Sequence, residues 1–263
     1  MEVHSHGHVH HKSKWKEYLF QFFMLFLAVF LGFLAEYRYE HFIEHKRTEE
    51  LAKNLYEELK ADSIRFQKNL EDRMVKEKCL ELLKSYFKDS SLSAISRKVC
   101  PCMGLGLLLS TRGLFEPNDG VLGQLRYSGT LRYFRNPHIQ EHLGSIMVAI
   151  NNIRVRNEQE YDFFAETLRP FLYKHYDYEW HDLITKKGGV IAVDVLKNIV
   201  MTNSNVYAGE LKNSKSFDRD AAYSVISHYV LMLRGTRAVQ LAPYMEANMN
   251  LLKELRKNYK IED

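Results

Sequence analysis

The chain has 263 residues and a formal net charge of +4, with 37 Lys and Arg set against 33 Asp and Glu. Basic and acidic residues are interleaved throughout, so there is no basic stripe of the kind nucleic-acid binding requires, and nucleic acid is not an expected partner. At 46% hydrophobic residues the composition is that of a folded chain rather than a disordered one, and nothing in it implies a cofactor.

Residues 1–17 form a His-rich basic tail carrying His4, His6, His8, His10 and His11. Alternate spacing on a flexible tail can bring several neutral imidazoles onto Zn²⁺, Ni²⁺ or Cu²⁺, although tails of this composition also bind metal adventitiously. The eighteen residues that follow, Tyr18 to Ala35, hold one amide, Gln21, and no charge. As a helix rising ~1.5 Å per residue they span roughly 27 Å, close to the hydrocarbon thickness of a bilayer. A signal peptide has a shorter apolar core, about 7–15 residues, and a small-residue cleavage site. This run instead ends Phe33-Leu34-Ala35, with a bulky Phe where a small residue is wanted. Trp15 and Tyr18 before it, and Tyr37 and Tyr39 after it, fit the aromatic belts of a retained span. Five Phe between Phe20 and Phe30 make it apolar on every face, unlike the one-sided stripe of an ordinary core helix. The segment 18–35 is therefore read as an uncleaved transmembrane signal anchor.

Lys12, Lys14 and Lys16 crowd the N-terminal flank, whereas Arg38 is the only basic residue in the ten positions after the span. Lys46, Arg47 and Lys53 follow farther on. The local density places the N-terminus in the cytoplasm and the C-terminal part outside, which in a Gram-negative cell makes this a single-pass inner-membrane protein with a periplasmic domain.

Residues 36–88 contain no Gly or Pro, and apolar residues recur at Leu51, Leu55, Leu59, Phe66, Leu70, Met74 and Leu80. An amphipathic membrane-proximal helix is expected to continue directly out of the anchor. The remainder, 89–263, completes a helical extramembrane domain. Its first stretch, Asp89 to Pro117, is irregular, and its apolar patch Leu105 to Leu109 is too short for a second span. Asn118 or Asp119 can cap a short helix carrying Val121, Leu122, Leu125 and Leu131, broken near Ser128-Gly129. Asn136-Pro137 is a helix start, and Ile139, Leu143, Ile146, Ile150 and Ile153 then form a heptad-like, coiled-coil-type seam running to about Thr167. Lys187-Gly188-Gly189 ends a segment. The apolar run Val190 to Val200, which holds Asp194, fits strand or helix. Asp218 caps a final helix carrying Val225, Tyr229, Met232, Val239, Met245, Met249 and Leu252. The fold class is all-α: one transmembrane helix continuing into a helical bundle.

His-x-x-Glu-His occurs twice, at His41-Glu44-His45 and His138-Glu141-His142. On a helix these positions share a face, so two imidazoles can hold zinc with the Glu as general base. The motif is short, and a chain with 12 His produces it by chance. No His has a Glu three residues before it, so the di-iron bundle pattern is absent. Cys100, Cys102 and Met103 offer soft sulfur ligands for Cu(I). In a periplasmic domain Cys79 can instead pair with Cys100 or Cys102, leaving an odd thiol. There is no Walker loop, G-x-G-x-x-G, G-x-S-x-G or H-E-x-x-H, and no catalytic residue is assigned.

The anchor followed by Glu36-Tyr37-Arg38-Tyr39-Glu40, together with Leu125, Ser128, Gly129, Leu131, Arg132 and Asn136, resembles an uncharacterised family of bacterial single-pass membrane proteins with a helical extramembrane domain. The resemblance covers about half the chain and carries no activity across. The residues themselves explain the central stretch as a corner: Gly129 supplies a positive φ and Asn136 caps the next helix. Arg126, Arg132 and Arg135 can alternatively hold an anionic ligand or a partner's carboxylates. Two functions follow. The first is a non-enzymatic, membrane-anchored interaction, scaffold or signal-input module that meets a protein partner or its own copy through helical seams. The alternative is a metal-binding or metal-dependent membrane protein using the His and Cys clusters.

Overall fold

The computed structural model describes residues 15–92, 97–109, 113–186, 192–202 and 208–261. Every regular element among them is helical. Among the described residues nine α-helices follow one another: α1 Trp15–Asp89, α2 Val99–Met103, α3 Gly120–Tyr127, α4 Pro137–Phe163, α5 Arg169–His175, α6 Tyr178–Lys186, α7 Ala192–Thr202, α8 Arg219–Thr236 and α9 Ala242–Tyr259. The chain divides into two compact units, Met1–Leu51 and Ala52–Asp263, with the division inside α1.

In the first unit, α1 is long and apolar enough to cross a membrane, and none of its most apolar eighteen-residue window is buried. Phe20, Phe22, Phe23, Leu25, Phe26, Phe30 and Phe33 all stand exposed, while the helix satisfies its own backbone groups.

In the second unit α1 supplies the seam on which the domain is built. Leu55, Leu59, Asp62, Phe66, Arg73, Lys76, Leu80, Leu83 and Phe87 are all buried, and they keep to one heptad register. Met74, expected on this stripe, is exposed, because the buried seam runs through the polar Arg73 and Lys76 instead. α4 packs on α9, and Ile139, Leu143, Ile146, Ile150 and Ile153 are all buried, so the heptad-like seam is consumed inside the domain. Phe66, Phe115 and Tyr244 cluster at this end, with ring centroids 5.1 to 6.3 Å apart and Phe115 meeting Phe66 edge-to-face. A second cluster joins Cys79 to Phe87 of α1 with α2, Leu172, Trp180, Leu196, Ile226, Tyr229 and Leu233.

Local chemistry sets the helix ends. Asn136 takes the extended cap conformation and its side chain accepts the N–H of His138, while Pro137 opens α4. Asp218 caps α8 through the N–H of Ala221. Gly129 has φ 69° and turns the chain after α3. Neither Asn118 nor Asp119 caps α3 by its own side chain. Glu58 of α1 accepts the N–H of Val121, Asp62 accepts that of Asn118 at 2.8 Å, and Asp119 pairs with Arg154 at 2.9 Å. The run Val190 to Val200 resolves in favour of helix from Ala192 onward, with Asp194 exposed in its first turn. Lys187-Gly188-Gly189 lies outside the described residues.

Two π turns, Phe164–Leu168 and Arg237–Leu241, interrupt otherwise continuous helices, and each is followed two residues later by a proline, Pro170 or Pro243. A helical proline has no N–H to donate and crowds the carbonyl four residues back, which the wider turn relieves. The extra residue rotates the following side chains by about 100°. The buried positions only partly match the stripe expected from Val225 to Leu252: Ala222, Ile226, Tyr229 and Leu233 are buried before the turn, and Tyr244, Ala247, Leu251 and Leu255 after it. Val239 and Met249 are left exposed.

Candidate functional site

The residues singled out in the sequence are not gathered into one site. His4, His6, His8, His10 and His11 lie outside the described residues. His41 Nδ1 stands 3.6 Å from Glu44 Oε2, but His45 turns to Glu49 at 3.5 Å, so the first motif does not converge. His138 and Glu141 are exposed and His142 is half-buried on the first turns of α4. Cys100 Sγ contacts the Glu210 carbonyl at 3.5 Å, whereas Cys102 is in hydrogen-bonding contact with Cys79. Burial pushes the Cys100 thiol up to about 12, far from a reactive thiolate. Among the described residues no three His, Cys, Asp or Glu are placed to hold a metal ion. Arg126 and Arg132 lie over the rings of Tyr127 and Tyr133, neighbours in the chain, and Arg132 also donates to the Tyr133 hydroxyl at 2.8 Å. Arg126, Arg132 and Arg135 are all exposed at the corner.

The strongest concentration of buried charge lies where α1, α4 and α8 meet. Arg73 donates through Nη2 to Glu160 Oε1 and through Nη1 to the Gly113 carbonyl at 3.2 Å. Thr236, the last residue of α8, donates to the same Glu160 oxygen at 2.6 Å and also lies 2.9 Å from the Met232 carbonyl. Its hydroxyl oxygen accepts from Arg156 Nε at 2.8 Å. Lys76 is buried beside this pair. Desolvation lowers its ammonium to about 7, aided by the Arg73 cation and opposed by Glu160 and Asp72. The Tyr229 hydroxyl is pushed upward by burial and then by the Glu160 charge. Arg237, on the π turn, pairs with Glu77 at 3.1 Å.

Arg156 connects this interior to the surface. It also donates to the Met232 carbonyl at 3.0 Å and to Gln159 at 2.9 Å, which fixes its guanidinium in the wall of a groove of about 630 Å³. Asp162, Phe163 and Glu166 line the groove from the α4 side, and His228 and Leu231 from α8. His228 lies against the Phe163 ring, centroids 5.1 Å apart, and Leu231 is 68% exposed. The lining offers one cation, two carboxylates, an aromatic edge and an aliphatic side chain, but no hydroxyl or thiol nucleophile. Its lining complements a polar segment carrying one apolar anchor.

Sequence reasoning missed this constellation, although one signal was present. Stepping by four and three beyond Ile153 reaches Asn157 and then Glu160, a charge on a core-facing register. Compared with known proteins, the chain matches no protein-family model, no curated protein and no solved structure.

Proposed function

We propose that this chain is a membrane-anchored helical module that works by contact with a protein partner rather than by catalysis. The anchor sits in the inner membrane of a bacterial cell, with the N-terminus in the cytoplasm and the C-terminal unit in the periplasm. The observation that carries this reading is the anchor itself: an eighteen-residue window of high mean hydropathy, none of it buried, on a helix whose described neighbours bury most of their apolar stripes. The resemblance of Leu125, Ser128, Gly129, Leu131, Arg132 and Asn136 to a family of bacterial single-pass membrane proteins supports it. Because the α4 seam is used internally, the contact is assigned to the groove around Leu231 rather than to that seam.

Two measurements test the proposal. The full chain should resist alkaline carbonate extraction from membranes, and removal of residues 1–35 should release it to the soluble fraction. A photo-crosslinking amino acid at Leu231 should then capture a discrete protein in cells, while one at exposed Ile64 on α1 serves as the off-site control. A carbonate-soluble full chain would overturn the anchor. A strictly monomeric protein with no crosslinked species from Leu231, Val155 or His228 would overturn the interaction role.

A further inference from the structure

The second unit holds three cysteines, all buried, and they do not have equivalent surroundings. Cys100 and Cys102 flank Pro101 on α2, and residues two apart on a helix point to different sides. Cys100 faces the Glu210 carbonyl, Gly209 and the Trp180 ring; a Cβ on Gly209 would meet the Cys100 sulfur at 2.7 Å. Cys102 faces α1, where its thiol is in hydrogen-bonding contact with that of Cys79. The π turn Gly104–Leu108 that follows α2 closes over the same spot, and a Cβ on Gly106 would stand 3.6 Å from the Cys79 Cβ. Cys79 is 1% exposed and Cys102 is fully enclosed.

We infer that Cys79 and Cys102 are a disulfide-forming pair that ties α1 to α2 when the domain folds in an oxidising compartment, with Cys100 as the odd thiol. The inference rests on the proposed periplasmic orientation for its setting in the cell, but the pairing itself follows from the contact. The oxidant is a protein or small-molecule disulfide. A thiolate of one cysteine attacks one sulfur of that disulfide, forming a mixed disulfide and releasing one thiol. The second cysteine's thiolate then displaces the other thiol. Two electrons pass to the oxidant, and the two thiol protons leave with solvent or the released thiols. Exchange needs a thiolate, and the hydrogen bond to Cys79 and then burial raise the Cys102 thiol, so the bond forms while the core is still closing. Once enclosed it is shielded from reductants, which makes it a structural cross-link rather than a sensor.

The test uses the full chain in two arms. Protein purified in detergent is reduced and unfolded, refolded in detergent with a mixture of reduced and oxidised glutathione, and mapped by mass spectrometry without reduction. A Cys79–Cys102 peptide with Cys100 alkylated is expected. A bond involving Cys100, or no bond in protein whose helical signal has returned, overturns the inference whatever the orientation. In cells quenched with acid, maleimide labelling should add one label without reductant and three with it, and Cys100→Ser should give none and two. Three labels without reductant from a chain whose C-terminal reporter fusion is active only outside the cytoplasm would also overturn the pairing. A reporter active only in the cytoplasm would overturn the orientation, and the refolding arm would still decide the pair.

Discussion

Arg73 of α1 and Glu160 of α4, 87 residues apart in the chain, meet as an ion pair inside the bundle with side chains 1% and 2% exposed. Only part of their hydrogen-bonding capacity is met: Arg73 Nε and Glu160 Oε2 have no hydrogen-bond partner among the described residues. A buried pair of this kind roughly breaks even against well-packed apolar side chains, but losing one member strands a charge. Glu160→Gln should therefore cost about 3–5 kcal/mol. The double replacement Arg73→Met with Glu160→Leu should recover most or all of that loss, and urea titrations followed by circular dichroism on the three proteins would measure it. A double variant as unstable as Glu160→Gln alone would show that the pair contributes net stability.

The same pair explains which parts of the fold were legible in the sequence. Asn136, Gly129 and Asp218 were readable because capping and positive φ depend on a few adjacent residues. The seam of α4 was readable because each member is apolar. On α1 the apolar markers slipped in register at Leu70 and Met74, since the buried positions there include Asp62 and Arg73, whose partners lie at Asn118, on α4 and α9, and in the Gly113 loop. The register of α4 marks Glu160 as a core-facing charge, but no local pattern names a neutralising partner 87 residues away. The cap of α3 was hidden for the same reason, being supplied by Glu58 from 63 residues upstream. The continuation of α8 into α9 was legible only in part: Pro243 signals a disturbance, but not that the helix absorbs it as a π turn and continues.

Glycines supply a paired test of packing. A Cβ on Gly209 would lie 2.7 Å from the Cys100 sulfur and 2.8 Å from Trp180 Cγ, both held in the core. Gly144, inside α4, has open space around its position. Gly209→Ala should destabilise the domain by about 1–3 kcal/mol through overpacking. Gly144→Ala should be neutral or stabilise by up to ~1 kcal/mol, because alanine loses less backbone entropy in a helix. Thermal melts of the two variants, compared with the parent, should move in opposite directions or leave Gly144→Ala unmoved. A destabilised Gly144→Ala would mean that this face of α4 is covered.

Lys76 gives the domain a pH dependence with a definite sign. Its folded value is lowered to about 7 from an unfolded 10.5, first by desolvation and then by Arg73. Between those two values the unfolded chain binds the proton and the folded domain does not, so stability falls as pH drops from about 10 to 7 and levels off below the folded value. Equivalently, the contribution is fully present above the unfolded value and is lost as pH falls through the folded one. Lys76→Met, similar in length and without the titrating ammonium, should flatten the dependence across this window and raise stability at pH 7 by on the order of 1–3 kcal/mol. Denaturant midpoints measured from pH 6.5 to 10 for the two proteins would test it. Parallel profiles would assign the titration to another group. A variant less stable than the parent at pH 7 would mean that the ammonium is held charged by Glu160 and Asp72, with the ion pairs outweighing the cost of burial.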